Sequence, residues 1–314
     1  MSRRGYGSQE RMAGKIRQVR RATFKDWLEY VVAKCFVLAM QALPAKLALR
    51  IANLLGVLIF DVIRYRRDVA LANLRSCLGG VLGEGELRSI ARRSYASFAM
   101  ALADLARLPL VDDRFISKHI RIAGLHHLDR LRRESRGAIL VTGHFGSWEL
   151  LGYTMVRLGY PVVFVVGVQR NPLVQDLMNQ LRTRAGIEII ERSSTLAIMR
   201  SLRQGKFVAM LADQDARRRG VFVTFFGKPA STPIGPARLA LWSGSPIVTG
   251  FIMRDNLLDF RVVIEEPIMV PEGMDEASAV AELTQRFTSR LETHIRSKPD
   301  HWLWSHRRWK SSPP

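Results

Sequence analysis

The chain has 314 residues, of which 47% are hydrophobic and 8% aromatic, so it is long and apolar enough to bury a core. Its formal net charge of +20 implies anionic partners, whether nucleic acid, an anionic membrane surface or an acidic protein. The two cysteines, Cys35 and Cys77, lack the spacing of metal ligands, which indicates a reducing compartment and no structural disulfide.

Residues 1–25 are predicted to form a basic tail, and residues 26–67 a pair of membrane-associated apolar helices. The apolar stretches are Val31–Leu43 and Ile51–Ile63, followed by the basic cluster Arg64–Arg67. Neither stretch has the roughly 18 uninterrupted apolar residues of a transmembrane helix, and no small-residue cleavage site marks a signal peptide. Apolar helices bracketed by arginines are typical of a protein on an anionic cytoplasmic leaflet. Two ordinary core helices with basic flanks are the alternative, and the depth of insertion stays open.

Residues 68–314 are predicted to form one compact domain that is helical at first and α/β afterwards. Apolar residues have helical spacing through 68–110, and residues 120–137 include another predicted helix, around His126–Leu131, that ends near Gly137. Strand candidates then alternate with helices, as in an α/β fold with a mixed, largely parallel sheet and flanking helices. The strand candidates are Ala138–Val141, Val162–Val168, Glu188–Ile190, Phe207–Leu211, Ile247–Phe251 and Phe260–Ile264. The helix candidates are Trp148–Leu158, Leu173–Arg184, Thr195–Arg203, Gly235–Trp242 and a last helix from about Asp275 to Ser297.

His144 directly follows a predicted strand and Gly143, and Glu149 lies five residues further on. Open α/β sheets bind ligands at the carboxyl ends of their strands, which predicts the imidazole at the substrate site. Glu149, in the first turn of the next helix, is predicted to hydrogen-bond the ring, so that His144 is a general base with an orienting carboxylate. A structural loop histidine is the alternative. The chain has no His-Glu-x-x-His pattern, which disfavours a metal pair on a helix, and no Gly-x-Ser-x-Gly nucleophile elbow, so direct transfer without a covalent acyl-enzyme is the simpler hypothesis.

A charged segment follows the predicted strand Phe207–Leu211, again at a carboxyl end, and a run rich in phenylalanine follows it. Three consecutive arginines are candidates for binding phosphate groups, and the aspartates before them would position the arginines or hold a cation. The phenylalanines would give an acyl chain an apolar surface. A solvated charged loop and a strand with one buried face are the alternatives. The candidate substrate-binding residues are Arg170, Asp213, Gln214, Asp215, Arg217, Arg218, Arg219, Phe225 and Phe226.

The segment His301–Lys310 interleaves tryptophans with histidines, arginines and a lysine. This pattern is typical of an interfacial aromatic belt or of a platform on which bases stack, and it does not by itself choose between them.

Together these residues resemble the late acyltransferases of lipid A biosynthesis, the lauroyl and myristoyl transferases of Gram-negative bacteria. The similarity covers nearly the whole chain, including the apolar amino-terminal region with its basic flanks. Ser147 stands where the family most often has asparagine, which is a mild departure. The motifs that carry the resemblance are Asn73-Leu74 to Cys77, Gly143-His144-Phe145-Gly146 with Trp148-Glu149, Asp213-Gln214-Asp215 with Phe225-Phe226-Gly227, and Trp304 to Lys310.

The resemblance implies a glycerolipid acyltransferase-like fold and an O-acyltransferase on the cytoplasmic face of the inner membrane. The enzyme would move a fatty acyl group from acyl carrier protein to a hydroxyl of a lipid A precursor. His144 would remove the hydroxyl proton, Glu149 would stabilise the imidazolium, and backbone amides or Arg170 would stabilise the oxyanion. The arginines after Asp213 would bind acceptor phosphates or the phosphopantetheine arm of the donor. The implied partners are the acidic carrier protein, the glycolipid acceptor and the anionic membrane surface, and no cofactor is implied.

Two rival functions remain at this point. The first is the same chemistry on another acceptor, such as a lysophospholipid or a different glycolipid. The second is a membrane-tethered nucleic-acid-binding protein, suggested by the net charge of +20 and the tryptophan-rich segment. No recognised nucleic-acid-binding module is present and the arginines are scattered along the chain, so nucleic acid is not expected as a partner.

Overall fold

The computed structural model describes residues 22–313. The predicted basic tail, residues 1–25, lies almost wholly outside the described residues. From residue 22 to residue 313, no helix has the length and apolar character that crossing a membrane requires.

Helices alone form the first part of the described chain. The second and fourth of them pack closely, because Gly56 has no side chain to hold them apart: a Cβ there would lie 2.4 Å from the carbonyl oxygen of Tyr95. Met40, Leu49 and Ala103 join the same small core. The helices are α1 (Phe24–Ala42), α2 (Ala45–Leu58) continuing into a π-helical turn (Ile59–Ile63), α3 (Arg67–Leu78) and α4 (Glu84–Arg107).

A seven-stranded mixed sheet forms the centre of the domain. Its strand order is β1-β9-β8-β2-β5-β3-β4, and every neighbouring pair is parallel except β8 and β9. The carboxyl ends of β2, β3, β4, β5 and β8 therefore share one edge. The strands are β1 (Ile120–Ala123), β2 (Ala138–Thr142), β3 (Val162–Val166), β4 (Glu188–Glu191), β5 (Phe207–Leu211), β8 (Ile247–Arg254) and β9 (Phe260–Ile264).

Helices cover both faces of this sheet, and the remaining two strands, β6 (Gly220–Phe225) and β7 (Lys228–Pro233), form a separate antiparallel hairpin. The face that carries Phe164 and Val248 packs against the helix that follows β2, whereas the face that carries Val141 and Met210 packs against Leu239 and Phe287 of later helices. The helices are α5 (Asp113–His119), α6 (Leu125–Arg133), α7 (Trp148–Arg157), α8 (Pro172–Arg184), α9 (Thr195–Arg203), α10 (Gly235–Ser243) and α11 (Glu276–Ser297).

The α/β prediction is confirmed, with all six predicted strands present in a mostly parallel sheet and helices on its faces. The helix predicted within 120–137 is present as α6, Leu125–Arg133. One strand was not predicted: Ile120–Ala123 forms β1 at the edge of the sheet, in register with Phe260–Val263 of β9. Four residues are too few to show a period, so only the pairing with β9 distinguishes this strand from a helix.

Candidate active site

The turn between β2 and α7 holds His144 in place, and it depends on two glycines. Gly146 adopts a φ of +57°, and a Cβ there would lie 1.9 Å from the carbonyl oxygen of Ile252. At Gly143, a Cβ would lie 3.1 Å from the carboxylate carbon of Asp213. Glycine at these positions therefore lets the turn lie against β8 on one side and against Asp213 on the other.

Asp213, which follows β5, is the hydrogen-bonding partner of His144. Its Oδ1 lies 2.8 Å from His144 Nδ1, and its Oδ2 accepts the main-chain N–H of the same residue at 2.8 Å. A carboxylate oxygen only accepts, so Nδ1 carries the proton and Nε2 keeps its lone pair. The side chain of His144 is 18% exposed, and its Nε2 lies 3.4 Å from the amide nitrogen of Gln214 at the open side of the site. The geometry thus presents an unprotonated nitrogen to a substrate.

The pair shifts both ionisation equilibria. Burial lowers the pKa of His144, but the charge of Asp213, the hydrogen bond to it and the charge of Glu149 raise it more, so the net pKa lies above the ordinary 6.5. Burial raises the pKa of Asp213, yet the charge of His144 and the hydrogen bonds from His144 and Trp302 hold it far below its usual range. Asp213 is therefore a carboxylate at neutral pH, and protonation of the site begins at His144.

The predicted hydrogen bond between Glu149 and His144 is not formed. Both carboxylate oxygens of Glu149 bind the guanidinium of Arg182 on α8, Oε2 to Nε at 3.0 Å and Oε1 to an η nitrogen at 2.5 Å. The physical reason is that Arg182 is itself buried and needs a counter-charge, whereas His144 already has Asp213. Glu149 still acts on the imidazole through its charge.

In the segment that was expected to be a surface belt or a base-stacking platform, two of the three tryptophans are instead buried in the interior. Trp302 and Trp304 are 1% and 0% exposed, and Arg308 is buried beside them. The indole N–H of Trp302 donates to Asp213 Oδ2 at 2.9 Å. Trp302 and Trp304 pack with Phe225 and Phe226 in one buried cluster, which explains the high density of aromatic residues in this segment.

A cleft of about 1940 Å³ opens at the carboxyl edge of the sheet and contains His144 in its wall. Single-ligand pockets usually measure about 300–1,000 Å³, so this cleft has room for two substrates. On the α7 face it continues as an apolar slot. The slot floor is a row of Phe164, Ala209, Leu140 and Val248, which lie side by side across β3, β5, β2 and β8. Its roof, from α7, consists of Leu151, Gly152 and Met155.

Positive charge surrounds the mouth of the cleft. Arg217, Arg218 and Arg219 form a short 3₁₀ turn there and are exposed. Arg192 and Lys310 join them from the residues after β4 and from the last part of the described chain. Cations from three segments at one opening make a site for an anionic group.

Of the nine candidate substrate-binding residues, Asp213 binds His144 instead of the arginines that it was expected to position, and the other eight fall into two groups. Gln214, Asp215 and the three arginines line the cleft. Three of the other candidates do not. Arg170 is exposed outside it, and Phe225 and Phe226 are buried beneath the site against Trp302 and Trp304. The phenylalanines are turned inward because β6 and β7 fold their apolar face onto the core, so they offer no surface to an acyl chain.

Three further residues near the site carry no signal in the sequence that reveals their role. Arg182 is one of many arginines, and Trp302 reads as part of a surface pattern. Ser147 donates its hydroxyl to the buried Asp104 at 2.6 Å, and Arg254 pairs with the same carboxylate. The serine thus retains a buried polar contact at the position where the resemblance departs from asparagine.

A histidine oriented by an aspartate, beside an apolar slot and a cationic mouth, has the chemistry that acyl transfer to a hydroxyl requires, and the family match gives the class as acyltransferase. Residues 15–311 match the family described as "Bacterial lipid A biosynthesis acyltransferase". The chain belongs to this family.

Curated relatives agree with the family. The lipid A biosynthesis lauroyltransferase of Escherichia coli K12 is 26% identical over 291 residues, 91% of this chain and 92% of that protein. The lipid A biosynthesis palmitoleoyltransferase of the same strain is 28% identical over 274 residues, 86% of this chain and 87% of its own length. The phosphatidylinositol mannoside acyltransferase of Mycobacterium tuberculosis H37Rv is 28% identical over 226 residues, 69% of each chain. Relatives thus differ in both the acyl group and the acceptor named for them.

Proposed function

We propose that this protein transfers a fatty acyl chain from acyl carrier protein to a hydroxyl of a lipid A precursor, at the cytoplasmic face of the inner membrane. Family membership supports acyl transfer in lipid A biosynthesis. The observation that carries the mechanism is the hydrogen bond between His144 Nδ1 and Asp213, which leaves Nε2 free at a cleft large enough for two substrates.

In the proposed reaction, His144 Nε2 takes the proton from the acceptor hydroxyl as its oxygen attacks the thioester carbonyl. The tetrahedral oxyanion then collapses, the carbon–sulfur bond breaks, and the leaving thiolate takes the proton back from Nε2. The products are an ester and the free carrier thiol, with no net change in the enzyme. Asp213 stabilises the imidazolium that forms between the two proton transfers. The amides in the first turn of α7 would stabilise the oxyanion, because the positive end of the helix dipole lies there.

The two substrates are assigned by chemistry to the two parts of the cleft. The slot under α7 is apolar and would take the acyl chain. The cationic mouth would take phosphate, either on the glycolipid acceptor or on the phosphopantetheine arm of the donor. A basic surface also suits acyl carrier proteins, which are acidic. The mouth therefore brings charged parts of both substrates to His144.

The slot predicts a residue that limits acyl-chain length. Gly152 faces the ring of Phe164, and a Cβ there would lie 2.2 Å from its tip, so Gly152→Ala must push the ring into the slot. We expect the variant to prefer shorter donors, with a loss of about fourfold in kcat/KM for each methylene that no longer fits, at about 0.8 kcal/mol each. The measurement is a competition assay with carrier-bound chains of different length. Gly167→Ala is the matched control, because a Cβ at that cleft position meets nothing within 4 Å.

We also propose that α1, α2 and the π-helical turn form the membrane-binding surface. Large apolar side chains stand exposed along them, among them Phe24 at 85%, Val62 at 70% and Ile63 at 67% exposed. Arg64 and Arg66 flank the turn and are also exposed, which suits an anionic leaflet. The surface adjoins the cleft, since the Asn171 side chain that caps α8 donates to the Asp26 carbonyl and to Glu29 of α1.

Val62→Glu combined with Ile63→Glu is expected to weaken binding to anionic phospholipid vesicles by at least about tenfold, because each buried aliphatic side chain contributes about 1.5 kcal/mol. Vesicle co-sedimentation measures the effect. Leu196→Glu is the control: Leu196 is equally apolar and 85% exposed, but it lies on α9, away from this surface. Equal loss of binding in both variants would contradict the assignment.

The function itself is tested by deleting the gene and recording mass spectra of lipid A and of total phospholipids. We expect lipid A to lose one acyl chain and to regain it when the wild-type gene, but not a His144→Ala gene, is restored. A complete lipid A with an altered phospholipid or another glycolipid would assign the same chemistry to a different acceptor. The mannoside acyltransferase among the relatives makes that second acceptor class a specific alternative.

A further inference from the structure

We propose that Trp302 is a positioning residue of this site: its indole N–H fixes the carboxylate of Asp213, which in turn fixes the imidazole of His144. The kinetic consequences of this inference rest on the proposed acyl transfer, whereas the contacts from which it is argued are independent of that function. Trp302 lies 89 residues beyond Asp213 in the chain and does not line the cleft.

The two carboxylate oxygens of Asp213 have different hydrogen-bonding partners. Oδ1 is aimed at His144 Nδ1, whereas Oδ2 accepts two N–H groups, the main-chain amide of His144 at 2.8 Å and the indole of Trp302 at 2.9 Å. Two donors on one oxygen set the rotation of the carboxylate about its bond to the chain. Without the indole N–H, a single amide remains on that oxygen and Oδ1 is less firmly aimed at the ring.

Trp302 can act as a fixed hydrogen-bond donor because close packing holds its ring in one position. Its ring packs edge-on against Phe225 at 5.5 Å and against Trp304 at 4.8 Å between centroids. Its backbone pairs with Phe145, and the carbonyl oxygen of His301 accepts the N–H of Gly146 at 2.8 Å. The same short segment therefore holds both the turn that carries His144 and the aspartate that orients it.

Four other ionisable groups lie near His144 and Asp213, and a change in any of them could also shift the pKa of His144. Glu149 on α7 acts on His144, while Asp215, His306 and Arg308 act on the neighbourhood of Asp213. None of these groups is altered by a change of tryptophan to phenylalanine. A change in the titration of His144 in such a variant therefore reports on the aspartate.

The test compares Trp302→Phe with Trp304→Phe. Both tryptophans are fully buried in one cluster, but the Trp304 N–H donates to the main-chain carbonyl of Pro299 at 2.6 Å instead of to Asp213. We expect similar losses of melting temperature, since each variant removes the same buried indole volume. Only Trp302→Phe is expected to lower kcat, by roughly tenfold, as a misaligned catalytic group can cost up to about 10²-fold.

The pH dependence separates positioning from packing. In Trp302→Phe the rise of kcat/KM with pH should move to lower pH, toward the profile of Asp213→Asn, because a poorly aligned carboxylate raises the pKa of His144 less. Trp304→Phe should keep the wild-type profile. Identical profiles for the two variants, or an upward shift in Trp302→Phe, would overturn the proposal.

Two further measurements keep the test decisive. If Trp302→Phe does not fold, the benzothiophene analogue of tryptophan at position 302 keeps the ring shape and removes only the N–H. Nitrogen NMR of the histidine side chains gives the titration of His144 without any substrate. If Trp302→Phe lowers the pKa of His144 but the enzyme does not act on lipid A, the positioning role stands and the proposed function is refuted. If the enzyme acts on lipid A but the pKa of His144 is unchanged in Trp302→Phe, the proposed function stands and the positioning role is refuted.

Discussion

Replacing His144 with alanine is expected to lower the rate of acyl transfer by about 10³-fold, within the range that a general base contributes. The imidazole is the group at the cleft that both accepts a proton at neutral pH and has a fixed tautomer through Asp213. The assay follows transfer of a labelled acyl chain from carrier protein to purified acceptor. His126→Ala is the control, because His126 is exposed on α6 and is not among the residues that line the cleft.

The pH dependence of the wild-type enzyme follows from the same pair. Only the neutral imidazole accepts the substrate proton, and the pKa of His144 lies above the ordinary 6.5. kcat/KM is therefore expected to be low in acid and to rise as pH passes through that raised pKa. A rise centred clearly below 6.5, or a His144→Ala protein that is folded and retains substantial turnover, would contradict the general-base role.

Asp213→Asn is expected mainly to lower kcat, whereas Glu149→Gln is expected mainly to destabilise the fold. Asp213→Asn removes the charge that stabilises the imidazolium, so we expect a loss of about 10²- to 10³-fold in kcat, somewhat less than the roughly 10⁴-fold loss for the aspartate of a hydrolase triad. The rise of kcat/KM with pH should also move down, since the charge of Asp213 contributes most to raising the pKa of His144. The fold should persist, because an amide of the same shape fills the space.

Glu149→Gln instead leaves Arg182 as a buried cation without its partner. We expect the free energy of unfolding to fall by about 3 kcal/mol, and the pH profile to move less than in Asp213→Asn. Adding Arg182→Met should restore much of that stability, since it removes the unpaired charge. Chemical denaturation and pH–rate profiles measure both effects. If Glu149→Gln moved the profile further than Asp213→Asn, with no loss of stability, Glu149 would be the orienting carboxylate.

The position of His144 could be predicted from sequence, but its hydrogen-bonding partner could not. A strand that ends in Gly143-His144 puts the imidazole at the carboxyl edge of the sheet, whatever the strand order. Asp213 reaches it only because β2 and β5 are neighbours with Thr142 beside Leu211, and strand order is not encoded in any local pattern. Glu149 is nearer in sequence, yet the helix directs it to Arg182. Proximity along the chain was therefore a poor guide to the contact.

The surface position predicted for the tryptophans of His301–Lys310 was wrong for a similar reason, since it too depends on tertiary contacts. Alternating aromatic and cationic residues give the same sequence pattern in a membrane belt and in a core whose cations are hydrogen-bonded and lie near carboxylates. Arg308 shows the second case: it is buried, and its guanidinium donates to the carbonyl oxygen of Ser231 at 2.6 Å and to the Thr232 hydroxyl. Only tertiary contacts distinguish the two environments, and those contacts come from β7.

The carboxylate of Asp213 joins segments that lie 69 residues before it and 89 residues after it. Contacts of such long sequence separation form late in folding, because the entropy of closing the loops must be overcome first. A chain in which these distant segments have not yet met therefore holds His144 without an oriented proton, and it has no aligned base to take the proton of an acceptor hydroxyl. In the proposed mechanism, catalytic competence thus depends on the completed fold.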